Sequence, residues 1–184
     1  MIPENNIYTY SGVSFSPLSP SSEDISPQDI AHALSYICRA NGHFRSFYSV
    51  AQHCLACVNE AVARGCSDKI QLACLLHDAS EAFISDITRP VKRQLTEYRA
   101  IEKRLQDVIY RRFGLDPEDM ELLSAVSEID DALLYHEFLE LGGLALFEAA
   151  PEIRTTPDFS FIPFEETEKI YLDTLNRLYN GGTK

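Results

Sequence analysis

The chain has 184 residues, of which 45% are hydrophobic and 24% are charged, values typical of a globular domain with a single core. Its net charge of −12 disfavours tight binding to long nucleic acid, because such a surface repels polyanions, although one small phosphate can still meet a local cationic pocket. No stretch approaches the roughly 20 apolar residues of a membrane span, and the N-terminus lacks the layout of a signal peptide. We therefore expect a cytoplasmic protein that binds neither a membrane nor long nucleic acid.

Residues 1–26 are rich in serine and proline and show no helical or strand periodicity, which predicts an irregular arm. Interleaved aromatic residues such as Tyr8 and Phe15 predict that this arm packs on the body, with a short hairpin within residues 7–16 as one form it could take. Residues 27–184 are predicted to form a single helical domain.

Helix start and stop signals recur after the arm. Ser26-Pro27 and Ser67 are typical of helix N-termini, glycines follow several apolar-periodic segments, and Pro90 breaks the pattern around residues 84–90. Residues 70–76 are apolar nearly all round, which predicts a buried central helix. The fold class predicted is all-α, a bundle of about six or seven helices. The predicted helices span residues 27–41, 48–64, 67–76, 97–113, 117–141 and 165–179.

Five cysteines are an odd number, and in a chain without export signals they indicate free thiols rather than disulfides. Cys54 and Cys57 form a single CxxC pair on a predicted helix among apolar neighbours. No second cysteine pair completes a tetrahedral zinc site, so the sequence favours both as small core residues.

Two histidines and two aspartates form the strongest chemical signal in the sequence. His77-Asp78 ends the apolar run, His53 lies upstream, and Asp130 lies downstream. Imidazole and carboxylate groups form the mixed ligand set that first-row divalent metals accept. For each residue alone the alternative is a hydrogen-bonded core side chain, and for the whole chain a helical bundle without metal. Taken together, the set favours a metal site that leaves positions open for water.

Helical periodicity separates Asp130 from its neighbour Asp131. At 100° per residue, Asp130 falls among leucines and valines of its helix, whereas Asp131 falls beside polar residues. A carboxylate on an apolar face needs a cation, a metal or dedicated hydrogen bonds, because burial without a partner costs several kcal/mol. We therefore expect Asp130 to face the core and Asp131 to face water.

The order H…HD…D resembles the HD-domain superfamily of metal-dependent phosphohydrolases, which are helical bundles, and the resemblance covers about residues 29–141. The run from Leu76 to Lys92, LHDASEAFISDITRPVK, is similar to that of bacterial 5′-deoxynucleotidase-like members. It shares the HDASE string, an aspartate five residues after the glutamate, and the Pro-Val-Lys triplet. Ala82 departs from the Glu-Asp pair of HD-type hydrolases of guanosine tetraphosphate, which lowers the weight of that activity.

The resemblance implies roles for individual residues. It implies that His53, His77, Asp78 and Asp130 hold the metal. The nitrogen and oxygen ligands themselves admit Mn, Co, Fe, Ni or Zn, and the lack of further histidines near His77 favours one divalent ion over two. The resemblance further implies that Glu81 takes part in water activation or proton transfer, and that Asp86 contacts the sugar 3′-hydroxyl.

Further side chains are candidates for the substrate. Arg89 and Lys92 could neutralise phosphate charge, as could Arg45, which lies eight residues before His53 and has a plain surface cation as its alternative. His43 could touch substrate near the mouth of the site. Glu137 lies near the Asp130 face of its helix, where we expect it to support the site or to pair with an arginine.

The function expected from sequence is hydrolysis of a phosphate from a small nucleotide, with a deoxynucleoside 5′-monophosphate as the favoured substrate. A nucleoside triphosphate or a cyclic nucleotide is the alternative phosphoester. A non-catalytic module that binds metal and nucleotide is the alternative outside enzymes. Association into a homodimer through an amphipathic helix also stays open.

Overall fold

The computed structural model describes residues 3–181, which form the all-α fold predicted from sequence together with one small hairpin. Within this range, no helix is both long and apolar enough to cross a membrane. The strands are β1 (Ile7–Tyr8) and β2 (Ser14–Phe15). The helices are α1 (Pro27–Tyr36), α2 (Val50–Ala63), α3 (Asp68–Leu76), α4 (Glu81–Ile84), α5 (Arg89–Lys92), α6 (Thr96–Arg112), α7 (Met120–Glu137) and α8 (Phe164–Gly181).

Helix α3 is the central buried element, as its apolar sequence predicts. Ser67 caps it by accepting a hydrogen bond from the backbone N–H of Ile70. All side chains from Gln71 to Leu76 are buried, and α3 packs against α2, α6, α7 and α8. Its C-terminal end, where His77 follows, therefore lies inside the bundle.

Helix α1 ends at Tyr36, five residues before the predicted end. The reason is a pairing between segments distant in sequence: Cys38 forms an antiparallel bridge with Ser49. The backbone N–H of Arg39 donates to the carbonyl of Tyr48 at 2.8 Å, which draws the chain out of the helix. A short 3-10 turn, Arg39–Gly42, follows in place of the predicted last helical turn.

Helix α7 starts later and ends earlier than predicted. Asp119 caps it by accepting from the N–H of Leu122 at 3.1 Å, so the regular helix begins at Met120 rather than at 117. Beyond Glu137 the chain continues as a π-helical turn, Phe138–Gly142, rather than as regular α-helix.

The N-terminal hairpin packs on the helical body. Strands β1 and β2 pair antiparallel, with Ile7 opposite Phe15. Phe15 is fully buried and stacks on Phe83 of α4, with ring centroids 4.2 Å apart. The backbone N–H and the hydroxyl of Ser11 both donate to the carboxylate of Asp29 on α1, at 2.6 and 2.8 Å. The hairpin is thus attached to both α1 and α4.

Buried Glu60 on α2 is hydrogen-bonded to the segment that connects α7 and α8. Its carboxylate accepts from Arg64 Nε at 2.8 Å, from the backbone N–H groups of Arg154 and Thr155, and from the Thr155 hydroxyl at 2.7 Å. Burial alone would raise the pKa of Glu60, but these donors outweigh it and lower the pKa from 4.5 to about 2.

We expect Glu60→Gln to lower the free energy of unfolding by roughly 1.5–3 kcal/mol, because the neutral amide accepts fewer of these charge-assisted hydrogen bonds. The folded-state pKa is depressed, so the stability from Glu60 is present above pH 4.5 and is lost as the pH falls through about 2. Urea unfolding at several pH values should therefore show the two proteins converging in acid. The control is Glu152→Gln, an exposed glutamate on the same connection; a constant gap from pH 7 to 2 would contradict this account.

Candidate metal centre

The structure brings the four predicted metal ligands together. His53 lies on α2, His77 and Asp78 follow α3 directly, and Asp130 lies on α7. His53 Nε2 is 3.2 Å from His77 Nε2 and 3.1 Å from Asp130 Oδ1, and His77 Nε2 is 3.3 Å from Asp78 Oδ2. Two atoms bound to one ion at ~2.1 Å lie roughly 3.0–3.4 Å apart, so these spacings fit ligands of a single ion.

Hydrogen bonds orient both imidazole rings toward the same point. His53 Nδ1 is 2.5 Å from Glu137 Oε1, and His77 Nδ1 is 2.8 Å from the carbonyl oxygen of Cys74. Because both partners are acceptors, each Nδ1 carries a proton and donates it. When both rings are neutral, each Nε2 therefore has a lone pair facing the other, and a shared metal ion or a proton relieves the repulsion between them.

The charges around the two rings favour a cation at this point. Burial lowers the pKa of His77, but Asp78 and other neighbours outweigh it, and the pKa of His77 lies well above its ordinary value. Burial raises the pKa of Asp130, yet the two histidines lower it to about 2. Asp130 is 22% exposed at its side chain and Asp131 is 48% exposed, so the predicted contrast between the two aspartates is confirmed.

Two cysteines adjoin the histidines. His53, Cys57 and His77 form one group that could hold a metal ion, and Cys54, His77 and Asp78 form another. Both thiols are buried, as expected of core residues, and all five cysteines are free. Their contact with the histidines was not predicted, although the spacing of four residues between His53 and Cys57 places both on one face of α2.

Arg39 is the site residue that sequence reasoning missed. Its buried guanidinium lies 3.4 Å from Asp78 Oδ2 and 3.3 Å from Glu137 Oε2. Glu137 thus holds both His53 and an arginine, which are the two roles expected for it. The signal available in the sequence was a lone arginine directly after the apolar stripe of α1. Burial lowers the pKa of Arg39, but the surrounding carboxylates raise it well above its usual value, so it stays charged.

Glu81 begins α4 and is reached by a tight turn rather than by a further turn of α3. The N–H of Ala79 donates to the carbonyl of Leu76, and the N–H of Glu81 donates to that of Asp78. The carboxylate is buried, with Oε1 3.7 Å from Lys92 Nζ, and Oε2 has no hydrogen-bond partner among the described residues. Burial, followed by the charges of Asp78 and Asp86, raises the pKa of Glu81 well above its ordinary value.

A cavity of about 790 Å³ opens beside the cluster. Lys92 lines it and also bonds Glu102 at 2.6 Å, while Arg89 lies outside the lining, 3.4 Å from Asp130 and 3.0 Å from Asp131. Asp86 is half-buried and close enough to Glu81 to affect its pKa. The lining also includes His77, Asp78, Arg99, Lys103 and Asp130.

Arg45 and His43 are not brought to this cluster. The 3-10 turn before them has positive φ at Ala40 and Asn41, and His43 follows it as an exposed residue. Arg45 is exposed beside Gly143 and lines a different cavity, of about 730 Å³, together with His136 and Glu140. Their predicted contacts with substrate therefore have no support from the positions of these side chains.

Comparison with known proteins gives relatives without a named activity. No family model matches the chain. The uncharacterised protein YfdR of Escherichia coli (strain K12) is 40% identical over 111 residues, and the match covers 60% of each chain. The uncharacterised protein RCAP_rcc00048 of Rhodobacter capsulatus is 40% identical over 104 residues, and that match covers 53% of each chain. The chain thus spans between half and two thirds of these curated relatives.

Proposed function

We propose that this protein is a metal-dependent phosphohydrolase of the HD-domain type that it resembles, acting on a small nucleotide, with a deoxynucleoside 5′-monophosphate as the favoured substrate. The observation that carries the proposal is the convergence of two histidine Nε2 atoms and two aspartates beside a cavity lined by Lys92. A proton-handling carboxylate, Glu81, lies next to the same cavity lining.

His53, His77, Asp78 and Asp130 would hold one divalent ion. A divalent cation at such a centre acts as a Lewis acid that polarises a phosphoryl oxygen and makes water a usable nucleophile near neutral pH. Imidazole and carboxylate ligands are compatible with Mn, Co, Fe, Ni or Zn. The Nδ1 atom of each ring is hydrogen-bonded, in His53 to Glu137 and in His77 to the Cys74 carbonyl. These hydrogen bonds fix the orientation of the two imidazole rings.

Glu81 is the candidate for moving a proton during hydrolysis. The leaving alkoxide needs a proton, and the attacking water must lose one. A buried carboxylate with a raised pKa and one oxygen without a hydrogen-bond partner among the described residues is suited to take up a proton and to release it again. Lys92, 3.7 Å away, supplies positive charge for either the carboxylate or a substrate phosphate.

The cavity suits a small phosphorylated substrate rather than a polymer. Its volume of about 790 Å³ lies in the range of small-molecule sites. Lys92, Arg99 and Lys103 line it and supply positive charge for a phosphate. The same lining holds four carboxylates, of Asp78, Glu102, Asp107 and Asp130, and two of these pair with Lys92 and Lys103. The choice of a deoxy sugar rests on the resemblance, in which Asp86 meets the 3′-hydroxyl.

The test is phosphate release from deoxy- and ribonucleoside monophosphates, a nucleoside triphosphate and a cyclic nucleotide, with Mn, Co or Mg added to chelator-treated protein. We expect metal-dependent release that is fastest with deoxynucleoside monophosphates. Glu81→Gln should keep its metal, measured by elemental analysis, but lose roughly 10²–10⁴-fold in kcat.

Each other outcome has a distinct meaning. Release only from the triphosphate or the cyclic nucleotide would assign the substrate to that class and would not contradict the proposed metal centre. Bound metal without release from any substrate would favour the non-catalytic binding module. Full activity in Glu81→Gln would remove Glu81 from proton transfer.

A further inference from the structure

Cys57 has no part in the function proposed above, yet its thiol lies close to His53 Nε2, which faces the proposed metal centre. Its Sγ is 3.7 Å from His53 Nε2, and the residue is 1% exposed. With His77 it forms a group of ligand atoms that all lie within 4.8 Å of one another. The thiol therefore approaches His53 Nε2, which itself lies 3.2 Å from His77 Nε2.

The spacing fits a shared ion. A sulfur at ~2.3 Å and a nitrogen at ~2.1 Å from one ion are roughly 3.1–3.6 Å apart at octahedral or tetrahedral angles. The observed 3.7 Å between Cys57 Sγ and His53 Nε2 exceeds the tetrahedral value by about 0.1 Å and the octahedral value by about 0.6 Å. Both atoms are on α2, one helical turn apart, so they can converge without any movement between helices.

Cys54 lies beside a different ring nitrogen. Its Sγ lies 4.0 Å from His77 Nδ1, the nitrogen that already donates to the carbonyl of Cys74. That ring nitrogen has no lone pair for a metal, so Cys54 lies on the outer side of the ring. Of the two thiols that adjoin the histidines, only Cys57 lies beside the ring nitrogen that faces the proposed centre.

We propose that Cys57 is a thiolate ligand of the ion, and that the His53–Cys57–His77 face makes the centre prefer thiophilic ions such as Zn²⁺ and Co²⁺ over Mn²⁺ and Mg²⁺. This inference rests on the proposed metal centre. On binding, a metal–sulfur bond forms, the S–H bond breaks and its proton passes to water, with no change of oxidation state. The preference follows because thiolate is a softer donor than carboxylate.

The experiment is a Co²⁺ titration of the metal-free full chain, followed by absorption, for wild type, Cys57→Ser and Cys54→Ser. We expect visible d–d bands in all three proteins. An intense near-ultraviolet band from thiolate-to-Co²⁺ charge transfer should appear in wild type and Cys54→Ser and be absent in Cys57→Ser. Competition with Zn²⁺ should show that Cys57→Ser loses more affinity than the roughly 10- to 100-fold cost of losing a supporting hydrogen bond.

X-ray absorption of the Zn²⁺-loaded wild type identifies the atoms bound to the ion without the use of a variant. One sulfur scatterer at ~2.3 Å supports the proposal, and a shell of nitrogen and oxygen alone at ~2.0–2.2 Å overturns it. Visible bands without the charge-transfer band in wild type would also overturn it while leaving the metal centre in place. The absence of any Co²⁺ band in wild type would overturn both the centre and this inference.

Discussion

Replacing Asp78 with asparagine is expected to weaken the proposed metal binding strongly and to abolish the proposed phosphate release while the protein stays folded. Asp78 Oδ2 lies 3.3 Å from His77 Nε2, 3.9 Å from His53 Nε2 and 3.4 Å from Arg39 Nη1, so one oxygen serves both imidazoles and the arginine. The amide removes the negative charge that a cation requires there. The fold should survive because the side chain is 21% exposed and Arg39 keeps its bonds to Glu137.

Elemental analysis and the phosphate-release assay measure this effect directly. Metal affinity should fall by more than about 100-fold, which exceeds the usual cost of disturbing a supporting residue. Asp173→Asn, which makes the same change at an exposed position of α8, is the control and should match wild type. If Asp78→Asn kept both its metal and its activity, the assignment of Asp78 as a ligand would be wrong.

Glu137→Gln is expected to have the largest effect on stability, about 3–5 kcal/mol in the free energy of unfolding. The carboxylate is fully buried and holds two groups at once, His53 through Oε1 and Arg39 through Oε2. Burial raises its pKa, but His53 and Arg39 lower it below the ordinary value, so Glu137 is charged in the folded protein. The neutral variant leaves the buried guanidinium with less compensation, and His53 loses its orienting charge.

A double-mutant cycle separates these contributions. Urea unfolding of Glu137→Gln, Arg39→Met and the double variant should give a double-variant loss well below the sum of the single losses, because the buried charge disappears together with its partner. Metal affinity should fall by roughly 10- to 100-fold in Glu137→Gln, since the support of His53 is weakened. Glu128→Gln, an exposed change on α7, is the control. Strict additivity in the cycle would contradict a direct coupling of Glu137 and Arg39.

Local sequence patterns predicted the regular parts of the fold, whereas the convergence of the four candidate ligands was predicted from their residue types taken together and from the HD-domain resemblance. Helix α3 follows from one cap and one apolar run, and the inward face of Asp130 follows from the period of α7, because both depend on neighbours within the same helix.

What sequence could not predict depends on contacts between distant segments. The end of α1 is set by the bridge from Cys38 to Ser49, and that bridge delivers Arg39 to the cluster. The positions of His43 and Arg45 follow from a turn in which Ala40 and Asn41 have left-handed backbone conformations. Neither residue is a glycine, so the sequence did not predict this turn. The positions of the loop side chains His43 and Arg45 were therefore harder to predict than those of the four ligands, although the ligands are far apart in the sequence.

The stacking of Phe15 on Phe83 has a consequence for the size of the smallest working unit. Phe83 belongs to α4, the four-residue helix that begins with Glu81, and a helix this short has little rigidity of its own. The hairpin precedes the helical bundle in the sequence, yet it restrains α4, the segment that carries the proposed proton-transfer residue Glu81. A shortened version starting at residue 27 would retain every proposed metal ligand and still be expected to lose precision at Glu81, so engineered truncations should begin before β1.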